Sequence, residues 1–202
     1  MDKKTTTTAR FESKSGHILD KGMEVMWGKG YNGTSVNDIV KAADVPKGSF
    51  YFYFDSKEDF AVKALNRYFN MMFEPARAII EDNDLTAVQK LDNIYQMRVN
   101  IAAEKMHYKL GCFASNMGSE MSDHSESIRD TIVQFESLVR ARMKELVEQA
   151  QIEGGIKDDV SPENIVAFIE DAFKGALVTM KEVENSESLD NLMFILKKCF
   201  FK

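Results

Sequence analysis

The chain has 202 residues, 44% hydrophobic and 29% charged, with only 3 Pro and 11 Gly; that excludes a disordered or collagen-like polymer and favours helix. The net charge is −6, yet residues 1–67 hold 11 Lys/Arg against 9 Asp/Glu, net +2, and residues 68–202 hold 15 against 23, net −8. A mildly basic front on an acidic body is compatible with nucleic acid at one end. No apolar run approaches the roughly 18–20 residues of a membrane span, and the opening "MDKKTTTTARFESKSG" has no signal-peptide character, so a cytoplasmic location is expected. Two cysteines, Cys112 and Cys199, fit a reducing compartment rather than a disulfide framework.

In chain order, Thr5–Thr8 with Lys3, Lys4 and Arg10 reads as a flexible, slightly basic arm. From Phe11 to Lys29 the residues Ile18, Leu19, Met23, Met26 and Trp27 recur at steps of three and four, a helical period. "GKGYNG" follows and carries a literal G-x-G-x-x-G in Gly28, Gly30 and Gly33. A dinucleotide-binding turn needs a buried strand before its glycines and an acidic ribose ligand about 20 residues later. Here a helix precedes them, so the glycines end one helix and turn the chain into the next.

Thr34 or Ser35 can cap a short helix, and Ser35-x-x-Asp38 has capping-box spacing. Val36, Ile39, Val40 and Ala43 form the apolar stripe of that helix. "ADVP", residues 43–46, is a tight turn, and Pro46 suits the first turn of a second short helix, "KGSFYFYF". There Phe50 and Phe54, four apart, point inward and leave Lys47, Ser49, Tyr51, Phe52 and Tyr53 largely outward. Ser56-x-x-Asp59 opens a longer helix at Lys57. Helix, short helix, tight turn, short helix and long helix describe a helix-turn-helix on a three-helix core.

Farther on, Pro75 is expected to kink or end the helix begun at Lys57. Met71, Met97, Phe113 and Met117 belong to a thioether- and aromatic-rich middle; methionine adapts to varied apolar ligands, and it also serves as ordinary core. Cys112 follows Gly111 near a helix start, with Lys109 close by, a setting that favours the reactive thiolate; a small buried apolar residue is the other reading. Cys199 reads as packing. Ser161-Pro162 starts a helix containing Ile165, Val166, Phe168, Ile169, Ala172, Phe173, Ala176, Leu177 and Met180, an apolar face wider than one core stripe needs. "LDNLMFILKKCFF" adds a second apolar helix, and the two make a candidate dimer interface.

"GYNGTSVNDIVKAADVPKGSFYFYFDSKEDF", Gly30 to Phe60, resembles the TetR family of one-component transcriptional regulators. Val40 stands where the family usually has Ala, and Asp44 where it usually has a turn Gly; a left-handed Asp there costs about 1 kcal/mol. The resemblance implies an all-α fold with two domains. Residues 1–56 would be a DNA-binding helix-turn-helix domain with its arm, and residues 57–202 an effector-binding and dimerisation domain. It further implies a homodimer through the last two helices, a pseudo-palindromic operator in double-stranded DNA, and release by a small apolar or electrophilic effector.

Carried over by position, Lys47, Gly48, Ser49, Tyr51, Phe52 and Tyr53 become groove-facing, while Thr34, Ser35 and Lys57 are placed for phosphate. Cys112 with Met71, Met97, Phe113 and Met117 is the candidate sensing set; the Gly-Cys pair is similar to that of relatives that sense electrophiles or oxidants. No enzyme activity, cofactor, metal or membrane partner is expected. Two other classes compete: a helical metal-dependent enzyme, on the strength of Glu104-x-x-His107, and a helical interaction protein that binds no DNA. Di-iron bundles need two such pairs and two further glutamates, and His17 and His124 lie in no comparable motif.

Overall fold

The computed structural model describes the backbone of residues 3–201 and the side chains of residues 13–201. Every regular element among them is helical: α1 (Lys3–Lys29), α2 (Val36–Ala42), α3 (Lys47–Tyr53), α4 (Lys57–Glu81), α5 (Ala87–Glu104), α6 (Phe113–Met121), α7 (Glu126–Ile152), α8 (Pro162–Val183) and α9 (Glu187–Ile195), then a π-helical turn, Leu196–Phe200. Among the described residues no helix is long and apolar enough to cross a membrane. The segment read as a flexible arm is helical from Lys3, and its basic side chains lie outside the described residues.

The chain forms two compact units. One comprises residues 1–69 and 116–132, the other residues 70–115 and 133–202. The division differs from the expected break at 56/57, and α4 gives the reason. Its first half places Phe60, Ala61, Ala64, Leu65, Tyr68 and Phe69 in the core of the first unit, so the break falls inside the helix. Pro75 does not end α4, which runs on to Glu81.

In the first unit the turns follow from local chemistry. Gly30 takes φ +77° and its N–H donates to the Met26 carbonyl at 2.9 Å, a left-handed cap closing α1. α2 ends in a Schellman arrangement: Val45 N–H donates to Val40 O (3.0 Å) and Asp44 N–H to Lys41 O (3.3 Å). Asp44 sits at φ 52°, the left-handed turn position that glycine usually fills. His17 Nε2 donates to the Ala43 carbonyl at 3.0 Å and pins that turn to α1. Gly22 lets α1 approach closely, since a Cβ there would lie 2.5 Å from the Phe60 ring and 2.6 Å from Ile39.

The second unit packs Leu91, Ile94, Tyr95, Ile169, Phe173 and Leu177 around a charged pair. Arg98 donates twice to Glu170, at 2.7 and 3.2 Å, and Tyr95 Oη donates to the same carboxylate at 2.8 Å. The guanidinium also lies 3.9 Å from the Phe173 ring centroid. Burial alone would raise the Glu170 carboxyl, but the Arg98 charge and the donated hydrogen bonds outweigh it and hold the group below its ordinary range. Burial, reinforced by the Glu170 charge, pushes the Tyr95 phenol well above its ordinary range.

A carboxyl held lower in the folded than in the unfolded chain stabilises the fold above the ordinary carboxyl range and loses that contribution as pH falls through it. Melting temperature should therefore drop as pH is lowered from about 5 to 3. Glu170→Gln should lower it at pH 7, by about 3–5 kcal/mol of stability through the unpaired Arg98, and flatten the acid limb. A variant as acid-sensitive as the wild type would contradict the assignment.

Candidate nucleic-acid interface

α3 is seven residues long, too short to be stable alone, so its neighbours fix its roll. Phe50 and Phe54 are buried and pack against Phe60 in tilted and edge-to-face arrangements, the three ring centroids lying 5.0–5.7 Å apart. With those two positions inward, Tyr51 and Phe52 face out, 57% and 69% exposed. Lys47 and Gly48 are also exposed, while Ser49 and Tyr53 are half-buried. A Cβ on Gly48 would meet nothing within 4 Å, so packing within the fold does not demand a glycine there. A cavity of about 880 Å³ flanks the helix, lined by Gly48, Ser49, Phe52 and Tyr53 together with Lys14 and His17 of α1. The six positions read as groove-facing thus share one short element.

The three residues read as phosphate ligands stand differently. Ser35 is the N-cap of α2 with the full capping box: Asp38 N–H donates to Ser35 Oγ (3.1 Å), and Ser35 N–H donates to Asp38 Oδ2 (2.9 Å). The Ser35 hydroxyl donates to that carboxylate as well. These bonds, led by the Ser35 hydroxyl and followed by the Lys29 ammonium, hold the Asp38 carboxyl well below the usual carboxylate range. Thr34 is only 1% exposed, its Oγ1 donates to Gly30 O (2.7 Å) and its N–H to Tyr31 O (3.2 Å). Its hydroxyl and N–H are both used inside the turn. Lys57 Nζ donates to Tyr31 O and Thr34 O, both at 3.0 Å, and sits 4.1 Å from the Tyr31 ring centroid. It fastens the α1–α2 turn to the start of α4.

Among the sensing residues, Cys112 is half-exposed, one residue ahead of α6, and within the electrostatic reach of Arg98. Lys109 pairs with Glu184 at 3.1 Å. Met71 and Met97 are half-buried and Phe113 is buried in the same unit, whereas the buried Met117 belongs to the first unit and serves its core. Cys199 is exposed in the single chain. Glu104 ends α5, and His107 lies beyond it at φ 49°, so the two do not share a helical face as a metal-ligand pair.

Some of the site was not read from sequence. Glu120 of α6 accepts N–H bonds from Tyr31 (3.2 Å) and Asn32 (2.9 Å), and Glu58 accepts from the hydroxyls of Ser125 and Ser127. Both contacts join residues more than 60 positions apart and leave no local signal. Glu170, a charge inside an apolar stripe, was the one legible cue to the Arg98 cluster.

A short helix rolled by inward phenylalanines, with an aromatic and cationic outer face, defines a helix-turn-helix regulator of the DNA-binding class. Residues 18–65 match the profile of bacterial regulatory proteins of the tetR family, and residues 87–195 that of the tetracyclin repressor-like C-terminal domain. The HTH-type transcriptional repressor DhaR of Mycobacterium sp. (strain GP1) is 32% identical over 89% of this chain and 88% of its own. The transcriptional regulator AcuR of Cereibacter sphaeroides is 28% identical over 81% and 74%. A regulatory protein TetR from Rhodobacter sphaeroides superposes with a TM-score of 0.85 at 25% identity, covering 92% of this chain and 97% of that one. The reduced form of E. coli NemR gives 0.83 at 24%, covering 93% and 97%. The chain belongs to the TetR family of bacterial transcriptional regulators.

The two lysines separate structure from contact. Lys57→Gln should lower the melting temperature and leave the salt dependence of DNA binding unchanged. Lys47→Gln should leave melting unchanged and reduce the slope of log K against log salt by about one. Paired titrations at several salt concentrations, with melting curves, check both; the reverse pattern would exchange the roles.

Proposed function

We propose that the chain is a repressor that acts as a homodimer in the cytoplasm, binds a pseudo-palindromic operator, and is released by a small apolar or electrophilic effector. The observation that carries this reading is the outward face of α3, where Lys47, Gly48, Ser49, Tyr51 and Phe52 stand together over a buried Phe50. The major groove presents a distinct donor, acceptor and methyl pattern for each base pair. The tyrosine hydroxyl and serine suit its polar edges, and the Phe52 ring suits a thymine methyl. Backbone N–H groups at the start of α2, beside Ser35, remain the phosphate-facing element.

One such helix reads too few base pairs for gene-level specificity, and a twofold pair set about 34–36 Å apart reads two half-sites. The surface that supports pairing is on α8 and α9. Phe168 and Phe194 are more than half exposed, Val178 and Ile195 are exposed beside them, and Phe168 stacks on Phe200 at 5.8 Å. Exposed aromatic residues concentrated on two helices favour burial against a second copy. The DhaR, NemR and IcaR relatives are repressors, which supports repression here.

Cys112 is the candidate sensing thiol, with Met71, Met97 and Phe113 as candidate effector contacts. Cys112 is half-exposed and adjoins the Arg98–Glu170 pair electrostatically. A modified side chain there shifts a two-state equilibrium only by its differential free energy, typically about 1–3 kcal/mol.

A mobility-shift assay against the DNA upstream of the chain's own gene tests the reading. The wild type should shift it as a two-chain species, while the double variant Tyr51→Ala, Phe52→Ala should lose sequence-specific binding, by about 100-fold or more, with unchanged helix content. Retained binding by that variant would overturn the interface.

The sensing assignment has its own check. N-Ethylmaleimide should release the wild type and Cys199→Ser from DNA but leave Cys112→Ser bound; release of Cys112→Ser would exclude the thiol.

A further inference from the structure

The turn from Gly30 to Thr34, which leads into the helix-turn-helix, is held by polar bonds from three directions. From within, Thr34 Oγ1 and N–H close on Gly30 O and Tyr31 O. From α4, Lys57 takes Tyr31 O and Thr34 O. From α6, the Glu120 carboxylate takes the N–H groups of Tyr31 and Asn32, one on each oxygen. The next residue, Ser35, is the N-cap that sets the start of α2.

Gly30 is the complement of that carboxylate. Its φ is +77°, and a Cβ on it would clash with Glu120 Oε1. The same stretch of chain grips the domain a second time. Ser125 and Ser127, at the α6–α7 corner, donate to Glu58 in the first turn of α4, and Ser125 Oγ also accepts from Ile128 N–H. Residues 116–132 therefore hold the helix-turn-helix at both the α1–α2 turn and the α4 start.

We infer that Glu120 is a positioning residue for DNA recognition: its carboxylate clasps the Tyr31 and Asn32 amides and fixes the turn from which α2 and then α3 are aimed at the operator. The inference rests on the proposed reading of α3 as the element that enters DNA. Glu120 itself touches no base or phosphate. Its loss lets the turn open, so α3 samples other angles and base-specific contacts weaken. Phosphate attraction, carried by exposed lysines elsewhere, is unaffected.

The experiment uses the full chain as wild type, Glu120→Ala and Glu120→Gln. The probes are a duplex selected by the wild type from a random-sequence pool and an unselected random duplex. Glu120→Ala should raise Kd for the selected duplex about tenfold, the scale of two lost charge-assisted hydrogen bonds at a half-exposed site. Its Kd for the random duplex and its salt slope should stay at the wild-type values. Hydrogen exchange at the Tyr31 and Asn32 amides should quicken. Glu120→Gln keeps one acceptor oxygen and should fall between.

A merely structural lesion would weaken both duplexes together, and that outcome overturns the inference. So does unchanged amide exchange at Tyr31 and Asn32, which needs no DNA and is read on whichever variant folds. If the wild type selects no duplex at all, the regulator reading fails and the clasp's role in recognition falls with it.

Discussion

The burial of Phe50 and Phe54 under α3 is the contact on which the rest of the DNA-binding surface depends. A helix of seven residues does not persist on its own backbone bonds. Two buried phenylalanines contribute about 1.5–3 kcal/mol each, and their packing against Phe60 ties α3 to the start of α4. Because successive residues turn by 100°, fixing positions 50 and 54 inward dictates that 51 and 52 point out. The exposed aromatic face is a geometric consequence of the buried one.

Polar chemistry then sets where that helix stands. Its approach is defined by the left-handed turns at Gly30 and Asp44, the Ser35 cap, the His17 bond to Ala43, and the Lys57 and Glu120 bonds to the α1–α2 turn. Each meets a backbone group that the ends of short helices leave without an intrahelical partner. This demand explains why Thr34 and Lys57 are turned inward. Two short helices and two tight turns expose many such groups within 30 residues, and the nearest polar side chains satisfy them.

Legibility in the sequence followed the range of each interaction. Local signals were readable: the 3.6 period of α1, the Ser35/Asp38 and Ser56/Asp59 spacings, Asp44 at a left-handed position, and the Ser161-Pro162 start of α8. The inward Phe50 needed only helical geometry, while Phe54 turns in from extended backbone just past the end of α3. What escaped was decided across the chain. Spacing placed Thr34 and Lys57 near a helix start but could not say that two carbonyls would claim the ammonium. Glu120 acts on residues 88 and 89 positions away, and the break inside α4 depends on which core its first turns enter. Of the two outcomes expected at Pro75, an end to the helix is not seen, because a single proline in a 25-residue helix removes one bond and the remaining turns carry it through.

The two units also differ in what holds their centres. Around α3 the core is aromatic and the polar bonds lie at the turns. In the second unit a carboxylate only 4% exposed, Glu170, sits among apolar side chains with Arg98 as its counter-ion. Such a pair adds little net stability, because desolvation offsets the attraction, but disturbing either partner is costly, about 3–5 kcal/mol when one is lost outright. A core built this way responds sharply to a change of charge or bulk beside it. Cys112, the candidate sensing thiol, is half-exposed in this same unit. In the proposed cycle a group attached to the Cys112 sulfur shifts a two-state equilibrium only as far as such a core accommodates it differently in the two states.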